Sequence, residues 1–393
     1  MRLAERMTRL GTETAFEVLA RAQALERQGR DIVHLEIGEP DFPSPPSAIE
    51  AAAAGLRAGL TKYTTSPGLL ELRTRIAEVE GPRRRISVSP DQIVVTPGGK
   101  PIIFYTILAL VEEGDEVLYP DPGFPIYESM IGFAGGKPVP YPLREANQFR
   151  IDHASVAARL TSKTRLFILN SPSNPTGGVE TAESLEALAE LLAPSGTWIL
   201  SDEIYSHFIY EGVHASIASF GDTASRTIIL DGFSKTYSMT GWRLGYGIMP
   251  PELAPRVTQL VINSVSCTPA FSQKGALAAL ETREKTIPPM IEKFRARREA
   301  IVAGLDAIPG LRCTKPGGAF YAFPNVGSFG RTSKEIADYL LSEGGVACLP
   351  GTSFGLEGEG YLRFSFATSM EKIQLGLERL RSALARLTAK TSP

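Results

Sequence analysis

Between residues 92 and 249 the chain alternates short apolar runs with helical patterns, and this alternation constrains the fold more than any other feature. The runs are Gln92–Thr96, Glu116–Tyr119, Arg165–Leu169, Trp198–Ser201, Thr227–Leu230 and Arg243–Met249. Most are apolar at successive positions rather than at alternate ones, as strands covered on both faces are. Helical patterns lie between them, clearest at Pro101–Val111 and Ala182–Leu192. Strand then helix, repeated, predicts an α/β fold with a mostly parallel central sheet and helices on both faces.

The two ends read differently. Residues 12–29 form one amphipathic pattern stopped by Gly29, followed by GEPDFPSPPS (38–47), a proline-rich linker expected to exclude helix. MIEKFRARREAIVAGLDAI (290–308) reads as a long helix. Two short strand patterns follow, at Ala319–Phe323 and Leu362–Phe366, with a helical one around Ser333–Ser342. The expected organisation is an N-terminal arm over 1–45, a large domain over 46–290 and a smaller α+β domain over 291–393 on which the arm packs.

Charge and cysteine usage narrow the function classes. Lys plus Arg number 41 against 43 Asp plus Glu, a net charge of −2, which gives no global electrostatic case for nucleic acid or an anionic membrane. The longest nearly apolar run, Ile102–Val111, is too short to span a bilayer, and MRLAERMTRL lacks an apolar signal-peptide core. Cys267, Cys313 and Cys348 are odd in number and far apart, matching neither a disulfide framework nor a zinc site, so a reducing cytoplasm is expected.

Four strand ends carry the chemistry. Lys235, in DGFSKTYSMTGWRLGY, stands just past the strand TIIL, where open α/β sheets place ligands, with Arg243 eight residues on. An amine there can form a Schiff base with a carbonyl. Asp202 ends WILSD, and Tyr205 follows it by three residues. In VVTPGGKPIIF, Gly98, Gly99 and Lys100 precede Pro101 at a plausible helix start, whose free N–H groups suit phosphate. In LNSPSNPTGG a proline-punctuated turn displays Asn170 and Asn174, and the Asn174–Pro175 bond is a candidate for cis. Each motif alone reads equally well as surface cations, a helix cap, a tight turn or a loop. Together they supply an amine, a carboxylate, a phenol, an amide and an anion cradle, the set that pyridoxal phosphate needs.

With NPTG at 174–177, SDEIY at 201–205 and SKTYSMTGWRLGY at 234–246, the chain resembles the class I, aspartate-aminotransferase-like aminotransferases of the fold-type-I pyridoxal-phosphate enzymes, from about residue 8 to about residue 385. The resemblance implies that Lys235 tethers pyridoxal 5'-phosphate, Asp202 pairs with its pyridine nitrogen, and Tyr205 and Asn174 reach its 3-oxygen. It further implies phosphate contacts from Gly99, Lys100 and Arg243, the first two through backbone N–H, and a stacking ring from Phe124. Arg363 in YLRFSFA should grip the substrate α-carboxylate, and the Gly38 backbone should lie against the substrate. Tyr63 in KYTTSPG should reach the phosphate of a neighbouring subunit, which implies a homodimer with shared active sites. One position departs from the pattern: Gly232 stands where many relatives have a phosphate-binding serine, and Ser234 is the candidate replacement.

By the same resemblance the reaction is ping-pong transfer of an amino group from an L-amino acid to a 2-oxo acid, with Lys235 as base at Cα and then acid at the cofactor carbon. VTQLVINSVSCTPAFSQ (257–273) contains no Lys or Arg, which leans against a dicarboxylate-reading arginine there and towards aromatic, apolar or mixed substrates, with Phe16 from the arm a candidate lining residue. Pyridoxal-phosphate β-lyases share the same cofactor residues and remain the alternative. GTSFG (351–355) matches the serine-hydrolase elbow, yet all four histidines precede Ser353, and neither HExxH nor a strand-borne G-x-G-x-x-G is present.

Overall fold

The structure, a computed structural model, describes residues 2–389. The first and last four residues of the expected domain layout, 1 and 390–393, fall outside that range. In chain order the strands are β1 (Val33–His34), β2 (Ile93–Thr96), β3 (Glu116–Asp121), β4 (Lys137–Pro142), β5 (Thr164–Asn170) and β6 (Trp198–Asp202). They continue with β7 (Thr227–Gly232), β8 (Gly245–Ile248), β9 (Tyr321–Ala322), β10 (Val346–Ala347), β11 (Leu349–Pro350) and β12 (Leu362–Ser365).

Seven of these strands form the central sheet in the order β2-β8-β7-β6-β5-β3-β4. All neighbours run parallel except β8, which is antiparallel to both β2 and β7. The apolar runs predicted from sequence lie in this sheet, and β2, β3, β6, β7 and β8 are buried at every or nearly every position. β4 was not expected. Its sequence, KPVPYP, has three prolines, which read as a break, but it lies at the sheet edge and pairs only with β3, where missing N–H donors cost no ladder bonds.

Two helices correct the sequence reading. The proline-rich segment expected to exclude helix runs into one at its end: a helix spans Pro46–Arg57, with Pro46 in its first turn, where an absent N–H is harmless. Its buried face consists of Ala48, Ala52 and Gly55, and these small side chains let it pack closely on the helix Ala270–Glu281. The helix expected from 290 begins at Arg283 and carries Pro288 and Pro289 inside it. The carbonyls those prolines orphan belong to Glu284 and Lys285, both exposed, where water supplies the missing donor.

Outside the central sheet, β9, β12 and β11 form a small antiparallel sheet, and β1 of the arm pairs in parallel with β10. The helix Met370–Ala389 packs along Arg283–Asp306. No described helix is long and apolar enough to cross a membrane.

Candidate active site

A cavity of about 590 Å³ opens where the loops after β5, β6 and β7 converge. The loop after β5 contributes Asn174, the end of β6 contributes Asp202 and Tyr205, and the loop after β7 contributes Ser234 and Lys235. Gly38, Gly99, Lys100, Phe124, Arg243 and Arg363 close the same space. The structure therefore brings together every site residue expected from the sequence except Tyr63, which is 88% exposed on the outer surface of this chain.

The Lys235 ammonium donates to the Gly38 carbonyl at 2.6 Å. Desolvation lowers its pKa to about 8, against an opposing pull from Glu39, so the free amine is accessible near neutral pH. Asp202 is buried, and its carboxylate accepts from the Tyr127 hydroxyl at 2.7 Å and the Ile204 N–H at 3.2 Å. It has no cationic partner within ion-pair distance among the described residues, and burial pushes its pKa up to about 6. Asn170 donates to the Asp202 carbonyl, and its own amide oxygen accepts from the Asn174 N–H, which holds the two strand ends in register. The Asn174–Pro175 bond is cis.

Arg363, on β12, is buried. One terminal nitrogen donates to the Asn174 amide oxygen at 2.9 Å and the other to the Glu36 carbonyl, while its Nε–H has no partner. Its guanidinium lies 4.4 Å from the Tyr321 ring centroid and 4.8 Å from that of Phe354. The Tyr321 hydroxyl shares a 2.8 Å hydrogen bond with that of Tyr205, and burial raises both phenols. None of these partners is an anion, so the guanidinium is held by aromatic faces and carbonyls with its charge unneutralised, although burial lowers its pKa.

At the other end of the cavity three loops meet backbone to backbone. Gly98 has φ +93°, and a Cβ there would strike the Arg243 guanidinium at 2.2 Å. A Cβ on Gly245 would lie 2.5 Å from the backbone of Gly98 and Gly99, and one on Gly232 would lie 2.9 Å from Gly245 Cα. This column of glycines explains why serine is absent at 232: no side chain fits between β7 and β8. Ser234 lines the cavity instead. Arg243 donates to the carbonyls of Thr240 and Pro97, so its charge is unneutralised beside the N-terminus of the helix Lys100–Leu110. Free N–H groups and a cation around a glycine turn suit a phosphate.

Sequence reasoning missed Tyr127, Tyr321, Phe354 and Glu13. Tyr127 follows Phe124 by three residues, a spacing that was available in PDPGFPIY. Tyr321 and Phe354 lie in runs that read as ordinary core. A larger open groove of about 990 Å³ beside Glu145 holds none of the expected residues, and there Glu145 is already satisfied by Arg312, Thr314, Asn325 and Tyr361.

Known proteins share this architecture and sequence. The profile of the family described as aminotransferase class I and II matches residues 30–380. A probable aspartate/prephenate aminotransferase of Aquifex aeolicus is 38% identical over 98% of this chain and 99% of its own length. An aromatic-amino-acid aminotransferase of Thermococcus litoralis is 37% identical over 98% of both chains. The solved aspartate aminotransferase of Thermus thermophilus with maleate superposes with a TM-score of 0.93 at 36% identity, covering 98% of this chain and all of that one.

Proposed function

This chain belongs to the class I and II aminotransferase family, and on that premise we propose that Lys235, Asp202 and Arg363 divide the work of its reaction. It is a pyridoxal-phosphate-dependent aminotransferase, moving an amino group from an L-amino acid to a 2-oxo acid. The residues present fit that cofactor. Asp202 is a buried carboxylate without a cation, Lys235 a desolvated amine, and Gly98–Gly99 with Arg243 a cradle that any side chain would fill.

In this reading Lys235 tethers the cofactor, Asp202 offers its charge to the ring nitrogen, and Tyr205 and Asn174 hold the 3-oxygen. Gly99 and Lys100 hold the phosphate through their backbone N–H groups, Arg243 and Ser234 hold it through their side chains, and Phe124 covers the ring. When bound, pyridoxal 5'-phosphate supplies an electron-withdrawing ring that delocalises the pair left at the substrate Cα. Arg363 grips the α-carboxylate through a planar fork, with the Gly38 backbone alongside, and so orients the Cα–H bond. When it is not tethering the cofactor, the Lys235 amine would take the Cα proton and give it up at the cofactor carbon, as general base and then general acid. Asp202 and Arg363 are buried, where a charge interaction is stronger than in water.

We further propose a homodimer with shared active sites, a cytoplasmic setting and the division 1–45, 46–290 and 291–393. Support for the dimer comes from the exposure of Tyr63, whose neighbour Thr64 donates to Cys267 Sγ, and from Ile262 and Val265, which are also exposed and precede Cys267 by five and two residues. The free thiols of Cys267, Cys313 and Cys348 accord with a reducing compartment. The substrate range proposed is aromatic, apolar or mixed amino acids, since 257–273 offers no cation. The observation that carries the functional reading is the convergence of Lys235, Asp202 and Arg363 on one cavity. An amino-acid panel with 2-oxo acid acceptors tests it: formation of a new amino acid supports transfer, and release of pyruvate and ammonia without an acceptor overturns it.

A further inference from the structure

The end of the cavity formed by the arm carries a charge pair that the reaction does not use. Glu13 immediately precedes the helix Thr14–Glu26, a position where a side chain commonly caps the free N–H groups, yet it makes no capping bond. Its carboxylate instead lines the cavity, with Oε1 2.6 Å from the half-exposed Lys100 ammonium. The approach lies off the hydrogen-bonding direction, so that oxygen is buried without a hydrogen bond and the contact is one of charge alone.

Lys100 is equally out of place as local structure. It opens the helix Lys100–Leu110, where the helix dipole disfavours a cation. Its ammonium lies 5.9 Å from the Phe16 ring centroid and 5.6 Å from that of Phe124, between two aromatic walls of the cavity. Four cations line the described cavity. Lys235 and Arg363 are engaged at the reacting centre and α-carboxylate, and Arg243 at the glycine cradle. Among the described residues of this chain, that leaves the Lys100 side chain to meet a charge at the far end of a substrate, and Glu13 holds it.

We propose that Glu13 is a specificity-determining residue: by pairing with Lys100 it withdraws the one available cation from the distal end of the cavity and selects uncharged side chains over dicarboxylates. An aspartate or glutamate side chain entering this space meets a carboxylate at Lys100 instead of a bare ammonium. It must displace Glu13 or accept like-charge repulsion in a partly desolvated site. A phenyl or alkyl side chain meets Phe16 and Phe124 and leaves the pair intact. The proposal rests on the reading that Arg363 takes the α-carboxylate.

The test uses cofactor-loaded wild type, Glu13→Gln and the double variant Glu13→Gln/Lys100→Met. Each is titrated with maleate, a dicarboxylate, and with 3-phenylpropanoate, a monocarboxylate, and dissociation constants are read from the cofactor absorbance. The expected result is that Glu13→Gln tightens maleate relative to 3-phenylpropanoate by at least about ten-fold, and that the double variant loses this gain. Aspartate kcat/KM relative to phenylalanine should rise in parallel. A ratio in Glu13→Gln within about two-fold of wild type overturns the proposal, as does a gain that persists without Lys100. If wild type binds neither probe while Arg363→Lys leaves the KM unchanged, the Arg363 reading has failed and the proposal falls with it. Binding of 3-phenylpropanoate with an unchanged ratio instead leaves that reading standing and removes Glu13 alone.

Discussion

The guanidinium of Arg363 lies 4.4 Å from the ring of Tyr321, and the hydroxyl of that ring is hydrogen-bonded to Tyr205 at 2.8 Å. One side chain thus links the residue proposed to hold the substrate carboxylate to the one proposed to hold the cofactor 3-oxygen. The planar, stacked fork is what fixes the arginine, and lysine reproduces neither plane nor stack. Arg363→Lys is expected to raise KM for the amino acid by more than about ten-fold, measured by steady-state kinetics. An unchanged KM would remove Arg363 from the carboxylate site.

Tyr321→Phe keeps the ring beneath the arginine and deletes only the bond to Tyr205. KM should therefore stay within about two-fold, while kcat drops roughly five-fold, the worth of one buried hydrogen bond. A rise in KM with constant kcat would show that the hydroxyl serves the arginine instead.

Lys235→Ala should abolish both turnover and the visible absorbance of bound cofactor. In the cofactor-free protein the amine titrates near pH 8, because desolvation disfavours its charged form. The neutral amine is the nucleophile, so the rate of cofactor capture should climb with pH and level off above about 8. Stopped-flow mixing would reveal this, and a midpoint near 10.5, the ordinary lysine value, would contradict it.

Asp202→Asn should still bind cofactor and lose most of its rate. Its stability signature has a definite sign. Burial raises the folded-state pKa from 3.8 to about 6, so in cofactor-free protein the native state holds a proton that the unfolded chain has released. The resulting contribution is complete below pH 3.8 and is lost as pH rises through about 6. Asp121 and Asp231 are also raised to about 6, so the informative quantity is the difference between wild type and Asp202→Asn in urea melts at pH 4.5 to 7. A difference that does not change with pH would argue against the shift.

Behind the cavity, the buried Arg84 donates to Glu80, Glu203 and Asp231. Although burial opposes it, Arg83 and Arg84 hold Glu80 well below the ordinary carboxylate range. Arg84→Met leaves these acids without their central partner and should cost roughly 3–5 kcal/mol, read from the urea midpoint at pH 7.5. A loss under about 1 kcal/mol would mean that Arg83 compensates.

The central sheet was legible because buried parallel strands leave continuous apolar runs, and the polar residues ending two of them, Asn170 and Asp202, marked the cavity. What escaped were features whose logic is positional. β4 looked broken by its prolines because an edge is invisible in one dimension. The helix Pro46–Arg57 hid behind a proline that only its first turn tolerates. Tyr321 and Phe354 looked like core because their ring faces serve Arg363, 42 and 9 residues away in sequence (363 − 321 and 363 − 354). Glu13 carried no motif at all, since its significance depends on Lys100 lying opposite.

The glycine stack formed by residues 232, 245 and 98 has a practical consequence for protein engineering. Because main chain touches main chain there, the spacing between the backbone that carries Lys235 and the anion cradle is set by these contacts and not by rotamers. Transplanting a relative's serine to 232 would wedge β7 from β8 and move Lys235 and Arg243 together, so a graft that supplies one more phosphate ligand would unseat two others.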